Sequence, residues 1–136
     1  MASVEELSVR ARARGLHEFT DLVVRCVREA GIETGLCTLF VRHTSASLTI
    51  QENADPSARH DLEQWLDRLV PERDPLFTHT AEGPDDMPAH IKAALTATSL
   101  SIPVIRGRLA LGTWQGIYLW EHRNAAPTRT VVVHIG

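Results

Sequence analysis

The stretch GLCTLFVRHTSASLTIQENADP, Gly35 to Pro56, decides the fold class because its character changes twice within a short span. From Gly35 to His43 the side chains are apolar on both sides of an extended chain. Leu36, Thr38 and Phe40 point one way, and Cys37, Leu39 and Val41 the other. A strand apolar on both faces belongs in the middle of a sheet. Thr44 and Ser45 interrupt it, and a second extended segment, Ser47-Leu48-Thr49-Ile50-Gln51, then alternates sharply. Ser47, Thr49, Gln51 and Asn53 share one face, while Leu48 and Ile50 share the other. Asp55 and Pro56 start a helix, an N-cap followed by proline at the first helical position.

Downstream, the helix carries Leu62, Trp65, Leu66 and Leu69 on one stripe and ends at Pro71. A loop rich in proline, glycine and charge runs from Glu72 to Gly83. Asp85 or Asp86 caps the next helix, which tolerates Pro88 in its first turn and shows Ile91, Ala94 and Leu95 as its apolar stripe. Leu100–Ile105 is extended, Arg106-Gly107 is a hairpin turn, Leu109–Glu121 reads as one long strand, and Arg129–Ile135 is the last. Upstream, Thr20 or Asp21 caps a helix running to Glu29 with Leu22, Val23, Cys26 and Val27 on one face, and Gly31 ends it. Residues from Val4 to about Arg14 supply one or two edge strands. Strands paired locally, with helices between the strand groups, predict a single compact α+β domain over residues 1–136 rather than a βαβ repeat.

The 136 residues are 43% hydrophobic and 23% charged, which suits a packed core and excludes a disordered chain. A net charge of -3 gives the chain as a whole no pull toward nucleic acid or an anionic membrane. No segment approaches a membrane span, and the N-terminus lacks a basic start and apolar run. Cys26 and Cys37 have no metal-ligand spacing and read as reduced core residues, so a cytoplasmic location is expected.

Chemistry concentrates in three places. His43-Thr44-Ser45-Ala46-Ser47 places a histidine and three hydroxyls at a strand end, a cradle for a phosphate or carboxylate if it is more than a polar turn. Gln51, Glu52, Asn53 and Asp55 follow closely, although Asp55 alone is well explained as a helix cap. The second place is His79-Thr80 with Asp85-Asp86-Met87-Pro88-Ala89-His90. Asp86 and His90 are spaced i,i+4 and share a helix face, where the carboxylate can fix the histidine's tautomer. His43, His79 and His90 are expected to converge on one divalent, zinc-like metal. In the third, Leu111-Gly112-Thr113-Trp114-Gln115-Gly116-Ile117, glycines flank Trp114 on one strand face. The Trp114, Tyr118 and Trp120 face is open to burial either by the chain's own helices or by another subunit. Glu121-His122-Arg123 either reaches the site or merely ends the strand, and Arg106, Arg108 and Arg129 are candidate phosphate ligands.

The strings HTSASLTIQENADP, FTHTAEGPDDMPAHIK and GRLALGTWQGIYLWEHR, in that order, resemble the YjbQ family, an uncharacterised protein family also called secondary thiamine-phosphate synthase. The resemblance runs from about Gly35 to Gly136. It implies an α+β fold with a mixed, mostly antiparallel sheet and about three helices, assembled as a homotrimer with sites near subunit interfaces. It also implies a weak, secondary thiamine phosphate synthase activity, with the physiological function unsettled. The polar motif residues carried over are His43, Glu52, Asn53, His79, Asp86, His90 and Gln115.

The resulting expectation is one polar pocket for a small anionic or phosphorylated molecule. His43, His79 and His90 hold the metal. Glu52 and Asp86 do acid–base work. Thr44, Ser45, Ser47, Asn53 and Gln115 bind substrate. A synthase of this type would hold magnesium through carboxylates, and a three-histidine site suits zinc, nickel or iron better. Two other functions stay open: a non-catalytic trimeric module that binds a metal or anion, and an interaction protein whose polar motifs only pin the trimer.

Overall fold

The computed structural model describes residues 2–136. The elements run β1 (Ser3–Val9), β2 (Gly15–Glu18), α1 (Thr20–Ala30), β3 (Thr34–Val41), β4 (Ala46–Glu52), α2 (Pro56–Leu69), α3 (Asp86–Leu95), β5 (Ser99–Ile105), β6 (Arg108–Leu109), β7 (Gln115–Glu121) and β8 (Arg129–Ile135). The α+β class and the three helices agree with the sequence reading. The strands form two sheets, one ordered β1-β8-β3-β5-β6 and one ordered β2-β7-β4. Every named pairing among the described residues is antiparallel.

Local chemistry explains the element ends. Gly31 closes α1 with φ 67°, a left-handed turn that glycine adopts without steric cost. Asp55 caps α2, its carboxylate accepting from the Ser57 N–H at 2.9 Å. Arg106 and Gly107, both at positive φ, turn β5 back into β6. The single strand expected over Leu109–Glu121 is in fact two. β6 pairs with β5 in the larger sheet, β7 lies between β2 and β4 in the smaller one, and residues 110–114 carry the chain across. Leu109, Leu111, Ile117 and Leu119 keep an every-second-residue spacing on either side of Thr113 and Gln115, which is why the stretch read as one strand.

The smaller sheet is covered on both faces. Leu48, Ile117 and Leu119 join the inner face of the larger sheet (Cys37, Leu39, Val41, Val131, Val133) and α1 in the main core. Leu16, Tyr118 and Trp120 face the other way and pack with Leu66 of α2 and with Val70, which caps its C-terminal end. The chain's own helix thus buries Tyr118 and Trp120, whereas Trp114, in the crossing loop, is 63% exposed. β3 is central in its sheet, as expected, but one of its faces is uncovered. Leu36 and Phe40 share that face with Val4 of β1 and Ile105 of β5, all exposed. Both cysteines are free and buried, and burial pushes their thiols up to about 12 for Cys26 and about 11 for Cys37, so neither is a reactive thiolate.

Candidate functional site

The first turn of α3 carries a buried charge. Asp86 is 2% exposed, and three side chains bond its carboxylate. Arg123 Nη1 donates to Oδ1 at 2.6 Å, while Oδ2 lies 2.6 Å from His79 Nε2 and 3.1 Å from His90 Nε2. Burial pushes the Asp86 carboxyl up, but the His79 hydrogen bond and the Arg123 and His90 charges outweigh it, so the group stays ionised. Arg123 is itself clamped. Its Nε donates to Asp85 Oδ2 at 3.0 Å and its Nη2 to the Glu82 carbonyl at 3.0 Å, while the Asn124 N–H donates to Asp85 Oδ2 at 2.9 Å. The loop before α3 and the end of β7 are thereby locked to each other.

Proton accounting singles this cluster out. His90 Nδ1 sits 3.1 Å from the Thr44 carbonyl oxygen, which can only accept, so Nδ1 carries a proton. In the neutral ring Nε2 then presents a lone pair to Asp86 Oδ2, another acceptor. Two acceptors at that separation need a second proton or a cation between them. His79 Nε2 meets the same oxygen, and the His79 and His90 rings stand edge to face with centroids 5.3 Å apart. One ligand atom each from His79, Asp86 and His90 lies within 4.8 Å of the others. Two imidazole nitrogens and one carboxylate oxygen are a donor set that fits a divalent transition metal such as zinc. The outer contacts suit it as well: Thr44 fixes the His90 tautomer and Arg123 fixes the Asp86 rotamer. His79 is exposed, which leaves the cluster open to solvent on that side.

The expected set of three histidines is therefore corrected. His43 is not in the cluster. Its Nε2 accepts the Thr130 N–H at 2.9 Å, so that lone pair is consumed in the backbone of β8. Burial and the neighbouring Arg129 charge lower its pKa, which keeps the ring neutral and accepting. Asp86 stands where the third histidine was expected. Of the hydroxyls, Thr44 meets the cluster through its carbonyl, and Ser45 Oγ accepts from Arg129 Nη2 at 3.0 Å. Ser47 is 1% exposed and bonded to His122 Nε2 at 2.9 Å, so it belongs to the interior and not to a substrate surface.

Glu52, Asn53 and Gln115 lie at the other end of β4. From Ala46 to Glu52 the strand rises about 20 Å, so within one protomer these residues do not share a pocket with His79, Asp86 and His90. All three are exposed. Glu52 accepts the Asp55 N–H at 3.1 Å, Asn53 Nδ2 donates to Glu18 Oε2 at 3.1 Å, and the Gln115 side-chain carbonyl accepts the Gly112 N–H at 2.7 Å. Gly116 makes room for this group, since a Cβ there would lie 2.5 Å from Glu18 Oε2.

Two parts of the structure were not assigned from the sequence. Arg123 reaches the cluster, one of the two alternatives left open for it; only its position after β7 hinted at this. Arg129, taken as a phosphate ligand, is instead 2% exposed and ion-paired with fully buried Glu121, its Nε donating to Glu121 Oε1 at 2.7 Å. Periodicity cannot reveal such a pair, because the two residues come from different strands.

Comparison with known proteins agrees with this architecture. The family model described as UPF0047 protein YjbQ-like matches residues 5–136. The chain is 53% identical over 131 residues to the UPF0047 protein sll1880 of Synechocystis sp., covering 96% of this chain and 89% of that protein. It is 44% identical over 127 residues to the UPF0047 protein YjbQ of Escherichia coli O157:H7, covering 93% and 91%. The crystal structure of an uncharacterised conserved YjbQ/UPF0047 protein from Clostridium acetobutylicum superposes with a TM-score of 0.84 at 37% identity, covering 98% and 99% of the two chains. A YbjQ-like protein of unknown function from Sulfolobus solfataricus P2 gives 0.80 at 26% identity, covering 99% and 95%. With matches of this length in both sequence and fold, the chain belongs to the YjbQ/UPF0047 family.

Proposed function

We propose that His79, Asp86 and His90 form a divalent metal centre that binds the anionic end of a small phosphorylated molecule. The observation that carries this reading is that His90 Nε2 and Asp86 Oδ2 face each other at 3.1 Å while His90 Nδ1 meets the Thr44 carbonyl, so that a proton or a cation must lie between them. A bound metal would polarise a phosphoryl oxygen or lower the pKa of a bound water. The chain's own contribution is to keep Asp86 ionised, fix both imidazoles and hold the loop before α3 against β7 through Arg123.

The resemblance to proteins called secondary thiamine-phosphate synthase supplies a weak transferase activity as one use of such a centre. A non-catalytic metal- or anion-binding module is the second reading. It is favoured by the distance between the metal ligands and Glu52, the expected acid–base residue. A homotrimer would reconcile the two, with the exposed apolar face of Val4, Leu36, Phe40 and Ile105 as its contact and Glu52, Asn53 and Gln115 of one copy lying near the metal ligands of the next. The proposed location is the cytoplasm, on the support of the two buried free thiols; no helix among the described residues is long and apolar enough to cross a membrane.

Equilibrium dialysis of the untagged protein against inorganic phosphate, with zinc or with chelator, tests the reading. Phosphate retention that requires zinc and disappears in His90→Ala is the expected result. Equal retention in chelator would move the histidines into direct anion binding and remove the metal from the account. If retention is metal-dependent, Glu52→Gln separates the two uses: it should abolish turnover in an enzyme and leave a binding module unchanged.

A further inference from the structure

Beside His79 lies a cleft of about 330 Å³, at the small end of ligand-binding sites. Its lining includes the apolar side chains of Phe77, Pro84 and Met87, together with His79. Arg73 and Asp74 line it as well. Asp74 is occupied with its own turn, one carboxylate oxygen accepting the Leu76 N–H at 2.9 Å and its carbonyl accepting the Phe77 N–H at 3.0 Å. The neighbouring Glu72 is paired with Arg14 at 3.4 Å. Arg73 makes no ion pair among the described residues.

The Arg73 backbone is unusual. Its φ is 65°, in the left-handed region where glycine avoids a steric cost that every L-residue bears. The turn therefore carries an arginine where a glycine would hold the same geometry more cheaply, and no hydrogen bond or ion pair among the described residues accounts for that guanidinium. A cleft lined by a cation without an ion pair, by apolar side chains and by a proposed metal ligand is complementary to one kind of occupant.

We infer that this cleft is the specificity subsite of the proposed metal centre. It takes the apolar or aromatic body of the phosphorylated molecule, with a second anionic group away from the phosphoryl end: that anion on Arg73, the body on Phe77, Pro84 and Met87, and the phosphoryl end at His79. The inference rests on the metal reading for its phosphoryl end only; the cleft's preference for an apolar anion stands on the cleft residues.

Calorimetric titration of the zinc-supplemented, untagged full chain with benzenesulfonate tests it, because a sulfonate is a poor metal ligand and so reports Arg73 rather than the metal. Benzenesulfonate should bind at least about tenfold more tightly than inorganic sulfate or benzyl alcohol, as expected for a charge-assisted pair added to apolar contact. Arg73→Gly should weaken benzenesulfonate by about tenfold while keeping or raising the thermal midpoint. Benzenesulfonate binding no tighter than sulfate, binding unchanged in Arg73→Gly, or a lower midpoint in that variant would each overturn the inference, the last because it would make Arg73 a structural part of the turn. The two readings fail separately. Arg73-dependent binding in a protein that takes up no zinc removes the metal and keeps the cleft. Zinc uptake with binding indifferent to Arg73 does the reverse.

Discussion

The two ends of β4 carry the same kinds of residue and treat them oppositely. At the Ala46 end, charge is buried: Asp86, Glu121 and Arg129 are each at most 2% exposed and each is paired. At the Glu52 end, Glu52, Asn53, Asp55 and Gln115 lie in solvent and bond to nearby turns or to Glu18. Burying an ion costs several kcal/mol unless its partners are well placed. The Ala46 end is thus a preorganised site held by its surroundings. The Glu52 end is cheap to maintain and, within one protomer, is sufficiently explained by helix capping and turn bonding.

That contrast predicts a ranking of effects. Glu121→Gln should be the most damaging, lowering stability by about 3–5 kcal/mol in chemical denaturation, because it leaves the Arg129 guanidinium buried without its counter-ion. A loss under 1 kcal/mol would mean this end is not held together by buried charge.

Acid should act on the same end. Burial, together with the Lys92, Arg129 and Arg14 charges, lowers the His122 pKa to about 3 from 6.5, and its Nδ1 has no partner. Below 6.5 the unfolded chain takes up a proton that the folded ring refuses. Stability from this residue is therefore complete above 6.5 and is lost as pH falls from 6.5 toward 3, at up to about 1.4 kcal/mol per pH unit. His122→Gln should flatten stability against pH in that window. A slope equal to that of the parent would show that His122 is not the titrating group. Asp85 and Asp86, held below the ordinary carboxylate range, contribute only at lower pH.

Smaller effects sharpen the boundary between the ends. Arg123→Met frees the Asp86 rotamer and should weaken zinc binding by about 10–100-fold, read by competition with a chromophoric chelator. Unchanged affinity would make Arg123 a tether of the loop and nothing more. Asp55→Ala should cost about 1 kcal/mol through the lost cap at Ser57 and leave zinc affinity alone. Any change in metal binding there would tie the two ends together across subunits.

How much of this could be read from the sequence follows from the range of each interaction. The cap at Asp55, the Gly31 helix end and the Asp86–His90 pairing depend on neighbours within a few positions, and the central place of β3 shows in its own apolar residues although its partners are distant, so each was legible. The distribution of the histidines was not. His43 is consumed by the Thr130 N–H, a contact between residues far apart in the chain. The polar alternation from Ser47 to Asn53 predicted a shared face, which is correct for a strand. It also implied a shared pocket, which fails because the same strand holds its ends about 20 Å apart. Residues 110–114 escaped notice because Leu111 and Trp114 stay in step with the apolar positions of the strands on either side.

The central claim is that one end of β4 is a metal centre and the other is not. Its most direct test is the metal content, by mass spectrometry, of untagged protein purified in parallel with Asp86→Ala and Asn53→Ala. About one divalent transition-metal ion per protomer is expected in the parent and in Asn53→Ala, and none in Asp86→Ala. A parent protein without metal, or a metal that survives the loss of Asp86, would contradict it.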